Sequence, residues 1–93
     1  MAAVYAWILG SPARSLGVLA TALGRYDLAE AHFEVALETN EHIRAPYWTA
    51  RTQLEFAEML HERGASSDLS RADALVQRAR QVAHKRGYQG LLA

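Results

Sequence analysis

Two stretches of this chain carry the same signals in the same order: an apolar helical stripe containing small residues, a stop glycine, then a second stripe. Leu16, Gly17, Ala20 and Gly24 correspond to Phe56, Ala57, Leu60 and Gly64 at an offset of 40. Ala29, Phe33 and Ala36 correspond to Ala72, Val76 and Ala79 at an offset of 43, so three residues are inserted after Gly64. This duplication restricts the fold more than any composition figure does. A helix pair of this kind buries its apolar face only against a neighbouring pair, which predicts stacked antiparallel hairpins.

The helix boundaries follow from local chemistry. Ser11 followed by Pro12 is a hydroxyl cap before a proline suited to the first helical position. Leu16, Leu19, Ala20 and Leu23 then recur at helical spacing, and Gly24 ends the pattern. Asp27 and Glu30 have the spacing of a capping box, and Leu28, Ala29, Phe33, Ala36 and Leu37 are expected to point inward, with the helix ending near Asn40. Pro46 opens a third helix with Trp48, Leu54, Phe56, Ala57 and Leu60 as its apolar positions, and Gly64 stops it. After an Ala65–Asp68 loop, Ala72, Leu75, Val76, Ala79, Val82 and Ala83 form one face of a fourth helix that Gly87 closes. No window alternates with period two and no Asn-Gly or Asp-Gly turn appears. The reading is all-α: an apolar segment over 1–10, hairpins over 11–43 and 44–87, and a tail over 88–93.

In the first hairpin small and large residues share one stripe. Small residues let two helices approach closely, and a large one fills the groove left between them. Phe33 is therefore expected to plug the gap opposite Gly17.

Composition excludes several kinds of chemistry. Net charge is zero, with ten basic and ten acidic residues, so nothing favours a chain that coats nucleic acid. There is no cysteine, hence no disulfide framework and no thiolate. The opening "MAAVYAWILG" lacks a basic flank, and its apolar run is about half of what a membrane span needs. A cytoplasmic location is the default expectation. There is no glycine-rich loop ending in Gly-Lys-Ser/Thr, no GxSxG elbow and no His-Glu-x-x-His among His32, His42, His61 and His84. No catalytic residue, cofactor or metal site is expected.

"LGVLATALGRYDLAEAHFEVALE" resembles a tetratricopeptide (TPR) repeat, with Leu16-Gly17, Gly24, Tyr26, Ala29, Phe33 and Ala36 at the characteristic places. It departs from that pattern in having Ala20 for the usual tyrosine and Asn40-Glu41 for the closing proline. In the second copy Ala57 stands for the glycine and Val76 for the aromatic. "YWTARTQLEFAEMLHERG" and "RADALVQRARQVAHKRG" also resemble the C-terminal helical repeats of bacterial MalT-like and LuxR-type ATPase regulators and of AAA-linked nucleotide cyclases. That resemblance implies a piece of an α-α superhelix that senses a protein partner or inducer. It also implies an ATPase or cyclase domain elsewhere in a longer natural chain. The function expected is a non-catalytic protein-interaction module, a fragment or short relative of a bacterial signalling or transcription regulator.

In such repeats the first helix of each hairpin lines the concave groove, which here offers Arg14, Val18 and Thr21, then Arg51, Leu54, Glu58 and His61. A clamp for a peptide's terminal carboxylate is not expected, because only Arg14 and Arg51 survive of the cationic set. Their simplest role is to lie over packed side chains. Arg71, Arg78 and Lys85 recur every seven residues as a basic stripe on the fourth helix, opposite an acidic stripe of Glu30, Glu34 and Glu38. Pairing between the stripes is the expected arrangement. Phosphate contact by the basic one, in a small nucleic-acid-binding protein, is the alternative. Finally, Val4, Tyr5, Trp7 and Ile8 with Leu91 and Leu92 are too apolar to sit together in water without a role. Either the N-terminal segment folds back as a cap or two chains associate as a homodimer. Association is the expectation, because folding back hides only one end.

Overall fold

The computed structural model describes residues 12–88 and Gly90. Four helices follow one another: α1 (Pro12–Ala22), α2 (Tyr26–His42), α3 (Pro46–Arg63) and α4 (Asp68–Arg86). Together they are all-α, and α1 packs on α2, α2 on α3 and α3 on α4, with a smaller α1–α3 contact. Two helical hairpins thus lie side by side, as the duplicated pattern predicts.

The stop signals act through backbone geometry. Gly24, Gly64 and Gly87 all take φ near +70°, the left-handed conformation that costs a side-chain-bearing residue about 1–2 kcal/mol. The joint between the hairpins has no glycine. There Arg44 itself adopts φ +53°, and the Ala45 N–H closes the turn on the Asn40 carbonyl at 2.9 Å. Pro12 and Pro46 each occupy the first position of a helix, where a missing N–H costs nothing.

Phe33 is fully buried, and its ring lies on Gly17 of α1. It also stacks on Phe56 of α3, with centroids 5.5 Å apart and planes 17° from parallel. One ring therefore joins three helices. Ala20, Ala29, Ala57, Ala72, Met59 and Leu60 belong to the same buried core cluster as the two rings. Burying a phenylalanine of this kind contributes about 3 kcal/mol before chain entropy is counted. A buried polar pair sits nearby: Asn40 Nδ2 donates to Thr52 Oγ1 at 3.2 Å, and Thr52 Oγ1 donates to the Trp48 carbonyl at 2.7 Å.

Three expectations are corrected. Leu16, Leu19 and Leu23 do not form the inward face of α1; they are 48%, 57% and 66% exposed, and Ala13, Gly17 and Ala20 are buried instead. The two stripes lie on different sides of one helix, and only the small one admits the Phe33 ring. Leu28, expected inside, is exposed for a related reason: α2 buries the row Ala29, Phe33, Ala36 and Asn40. Asp27 and Glu30 form no capping box, because α2 begins with an N-cap that makes no side-chain bond and both carboxylates reach Arg63 of α3.

Candidate functional site

α1 and α3 border a groove above the Phe33 ring of α2. The groove narrows to a pocket of about 190 Å³ lined by Val18, Thr21, Ala22, Phe33, Glu55, Glu58 and Glu62. Its floor is apolar, and its wall is a row of carboxylates on α3. Glu55, Glu58 and Glu62 fall on one side of that helix through spacings of three and four. Thr21 cannot offer its proton to a ligand, because its Oγ1 already donates to the Gly17 carbonyl at 2.8 Å.

At the other end of the groove the arginines are engaged. Arg14 Nη1 donates to both oxygens of Glu55 at 2.8 Å, with both side chains largely buried. Its guanidinium also lies over the Trp48 indole, 5.3 Å from the ring centroid, and Arg51 lies over the same indole at 5.6 Å. Trp48 in turn meets Tyr47 edge-on at 5.1 Å, and Tyr47 meets Tyr88 in the same way at 5.3 Å. Arg14 and Arg51 thus cover packed aromatic surface, and Arg14 neutralises one carboxylate of the wall. Glu58 and Glu62 have no ion-pair partner among the described residues.

Of the sequence-derived groove residues, Val18, Thr21 and Glu58 meet in the pocket, while Arg14 and Arg51 meet on Trp48. Half-buried Leu54 and exposed His61 line neither feature. Sequence reasoning missed Glu55, Glu62 and Trp48 as groove residues. The spacing of the three glutamates was legible, but only α1 at its side makes a wall of them.

A second polar cluster ties the hairpins together. Arg63, in the last turn of α3, grips Asp68 with two parallel bonds: Nε to Oδ2 at 2.8 Å and Nη2 to Oδ1 at 3.0 Å. Its Nη1 reaches Asp27 at 2.9 Å and Glu30 at 3.0 Å on α2. Arg71 donates to the other oxygen of Glu30. Asp68 is buried, and its Oδ2 also accepts the Ala65 N–H at 3.0 Å. The Arg63 hydrogen bonds hold the Asp68 carboxyl below its usual range against the cost of burial, and the Ala65 N–H assists. Glu30 is lowered as well, first by the bond from Arg71 and then, against its burial, by that from Arg63. Reciprocally, the bond to Asp68 raises Arg63. The cluster is full of partners and is structural.

The basic stripe is divided by the same geometry. Arg71 pairs with Glu30, lies 4.0 Å from Glu34 and covers the Phe56 ring at 5.7 Å. Arg78 and Lys85 are exposed, and neither they nor Glu38 form an ion pair among the described residues. The stripes therefore meet at one end only. Val4, Tyr5, Trp7, Ile8, Leu91 and Leu92 lie outside the described residues. Among the described residues no helix is long and apolar enough to cross a membrane.

No family model, curated protein or solved structure matches this chain.

Proposed function

We propose that the chain is a non-catalytic protein-interaction module whose α1–α3 groove receives a segment of a partner protein carrying basic and apolar side chains. One observation carries this reading: an apolar-floored pocket bordered by Glu58 and Glu62, neither of which forms an ion pair among the described residues. Like charges four residues apart on a helix are mildly destabilising, by about 0.2–0.5 kcal/mol. A Lys or Arg laid along the wall would reverse that sign, while an apolar neighbour filled the pocket. The TPR-like sequence pattern supports the same face, and the likeness to regulator repeats supports a place in a bacterial signalling or transcription protein.

Calorimetric titration with two synthetic amphipathic peptides tests the reading, one Lys/Leu-based and one Glu/Leu-based. The basic peptide should bind and the acidic one should not. Glu58→Lys with Glu62→Lys should weaken binding by about tenfold or more, equivalent to ~1.4 kcal/mol. Equal affinity for both peptides, or no change in the double variant, would refute the groove. A duplex DNA titration with a steep salt slope that depends on Arg78 and Lys85 would favour nucleic-acid binding instead.

A further inference from the structure

The joint between the hairpins carries two locally unfavourable features, and both border one pocket. Asn40, wholly buried near the end of α2, has an Oδ1 with no hydrogen-bond partner. Turning its amide round would not help. Thr52 Oγ1 already donates to the Trp48 carbonyl, so it accepts from Asn40 Nδ2 and leaves Oδ1 on the other side of the amide. Four residues on, Arg44 is the only non-glycine residue with positive φ among the described residues, at +53°. Gly24, Gly64 and Gly87 take that conformation elsewhere. Leucine at 40 and glycine at 44 would suit the fold better than the residues present. Local choices that work against the fold concentrate where a ligand is handled.

Asn40 and Arg44 line the same pocket, of about 470 Å³, where the ends of α2 and α4 meet the start of α3. That volume lies within the range of small-molecule sites. Ala45, Pro46 and Val82 give it an aliphatic wall. Glu41, Arg44 and Arg86 give it a charged rim; all three are exposed, and none forms an ion pair among the described residues. A simple anion would satisfy the arginines and leave Asn40 Oδ1 bare. A simple amine would satisfy Asn40 and Glu41 and meet two like charges. A ligand with an N–H donor and a carboxylate on neighbouring atoms uses every group. We propose that this pocket binds a free α-amino acid with an aliphatic side chain. Its ammonium donates to Asn40 Oδ1 and Glu41, its carboxylate accepts from Arg44 and Arg86, and its side chain lies on Ala45, Pro46 and Val82. The pocket shares no lining residue with the α1–α3 groove, so the two readings stand or fall separately.

Titration of ¹⁵N-enriched chain with L-leucine, followed through backbone amide shifts, tests the proposal. L-Leucine should bind at millimolar concentration or below. It should move the amides of residues 40–49 and 82–86 and leave those of Thr21 and Glu58 in place. 4-Methylpentanoate lacks the ammonium and L-leucinamide lacks the carboxylate, so each should bind more weakly by about tenfold or more. Asn40→Leu and Arg44→Gly should each keep or raise the urea midpoint of the free chain and yet lose leucine binding. Arg44→Gly, a change on the surface, decides the matter if the Asn40 variant folds poorly. The proposal is overturned by an absence of shifts with L-leucine, or by shifts centred on the groove. Equal binding of inorganic phosphate or of either truncated analogue overturns it too, as does undiminished leucine binding in Arg44→Gly.

Discussion

The Gly17 backbone and the Phe33 ring are in direct contact: a Cβ added to Gly17 would lie 2.8 Å from both Cδ1 and Cε1 of Phe33. Real Cβ atoms do not approach that closely, so the ring or the helix must move. Gly17→Ala gains about 1 kcal/mol of helix propensity. It should nevertheless destabilise the fold, because overpacking a closed core costs about 1–3 kcal/mol. Phe33→Ala should cost about 3–5 kcal/mol. Phe33→Leu in the Gly17→Ala background should cost less than in the parent. Urea midpoints of the four proteins would show this coupling, and strictly additive changes would place the ring elsewhere.

Arg63 is the only residue whose side chain bonds both α2 and α4 among the hydrogen bonds of the described residues. Removing it leaves the buried Asp68 carboxylate with the Ala65 N–H and the Arg71 guanidinium, which is 3.7 Å away and makes no hydrogen bond to it. Arg63→Ala should therefore lower stability by clearly more than the 0–1 kcal/mol of an exposed pair. Arg63→Lys should recover only part of the loss, since an ammonium cannot make the paired bonds. Thermal midpoints of both variants test this, and full recovery by lysine would deny the fork its role.

Stability should fall in acid because of the same cluster. Folding holds the carboxyls of Asp68 and Glu30 below their ordinary values of 3.8 and 4.5. The unfolded chain binds more protons in that window, so stability rises with pH there. The contribution is complete above the unfolded values and is lost as pH drops through the lowered folded ones. A urea midpoint that is level above about pH 5.5 and declines below it is expected. Glu30→Gln should flatten part of that decline. An unchanged acid slope in this variant would separate Glu30 from the effect.

The basic stripe should respond at one position. Arg71→Glu sets a like charge against Glu30 and should destabilise measurably. Arg78→Glu and Lys85→Glu lie on open surface and should each stay within about 0.5 kcal/mol. Denaturation at low salt distinguishes the three, and equal effects would mean that the stripes pair along their whole length.

Asn40 offers a stabilising change. Its Oδ1 is buried without a partner, a cost of about 1–3 kcal/mol. Thr52 keeps its bond to the Trp48 carbonyl whatever stands at position 40. Asn40→Leu should therefore be neutral or stabilising by up to about 1 kcal/mol, as read by the urea midpoint. A large loss would show that the Asn40–Thr52 bond fixes the α2–α3 joint.

The sequence by itself determined where the helices are and where they stop. Proline at helix starts, glycine at left-handed ends and a period near 3.6 are local signals, and each acts within a few residues of itself. It also determined the Phe33 plug, since only one large residue lies on the small stripe of α2. It did not determine which side of α1 faces inward, because Leu16, Leu19 and Leu23 satisfy the same periodicity as Ala13, Gly17 and Ala20. Tertiary packing chose the small side, where Gly17 leaves room for a ring donated by another helix. Nor could spacing reveal that Asp27 and Glu30 serve Arg63 and not their own helix end. Capping and bridging use the same carboxylates, and the difference lies in a guanidinium more than thirty residues away. The acidic wall follows the same logic: three glutamates on a helix are a solvated face until α1, seated by Phe33, turns one side of them into a groove.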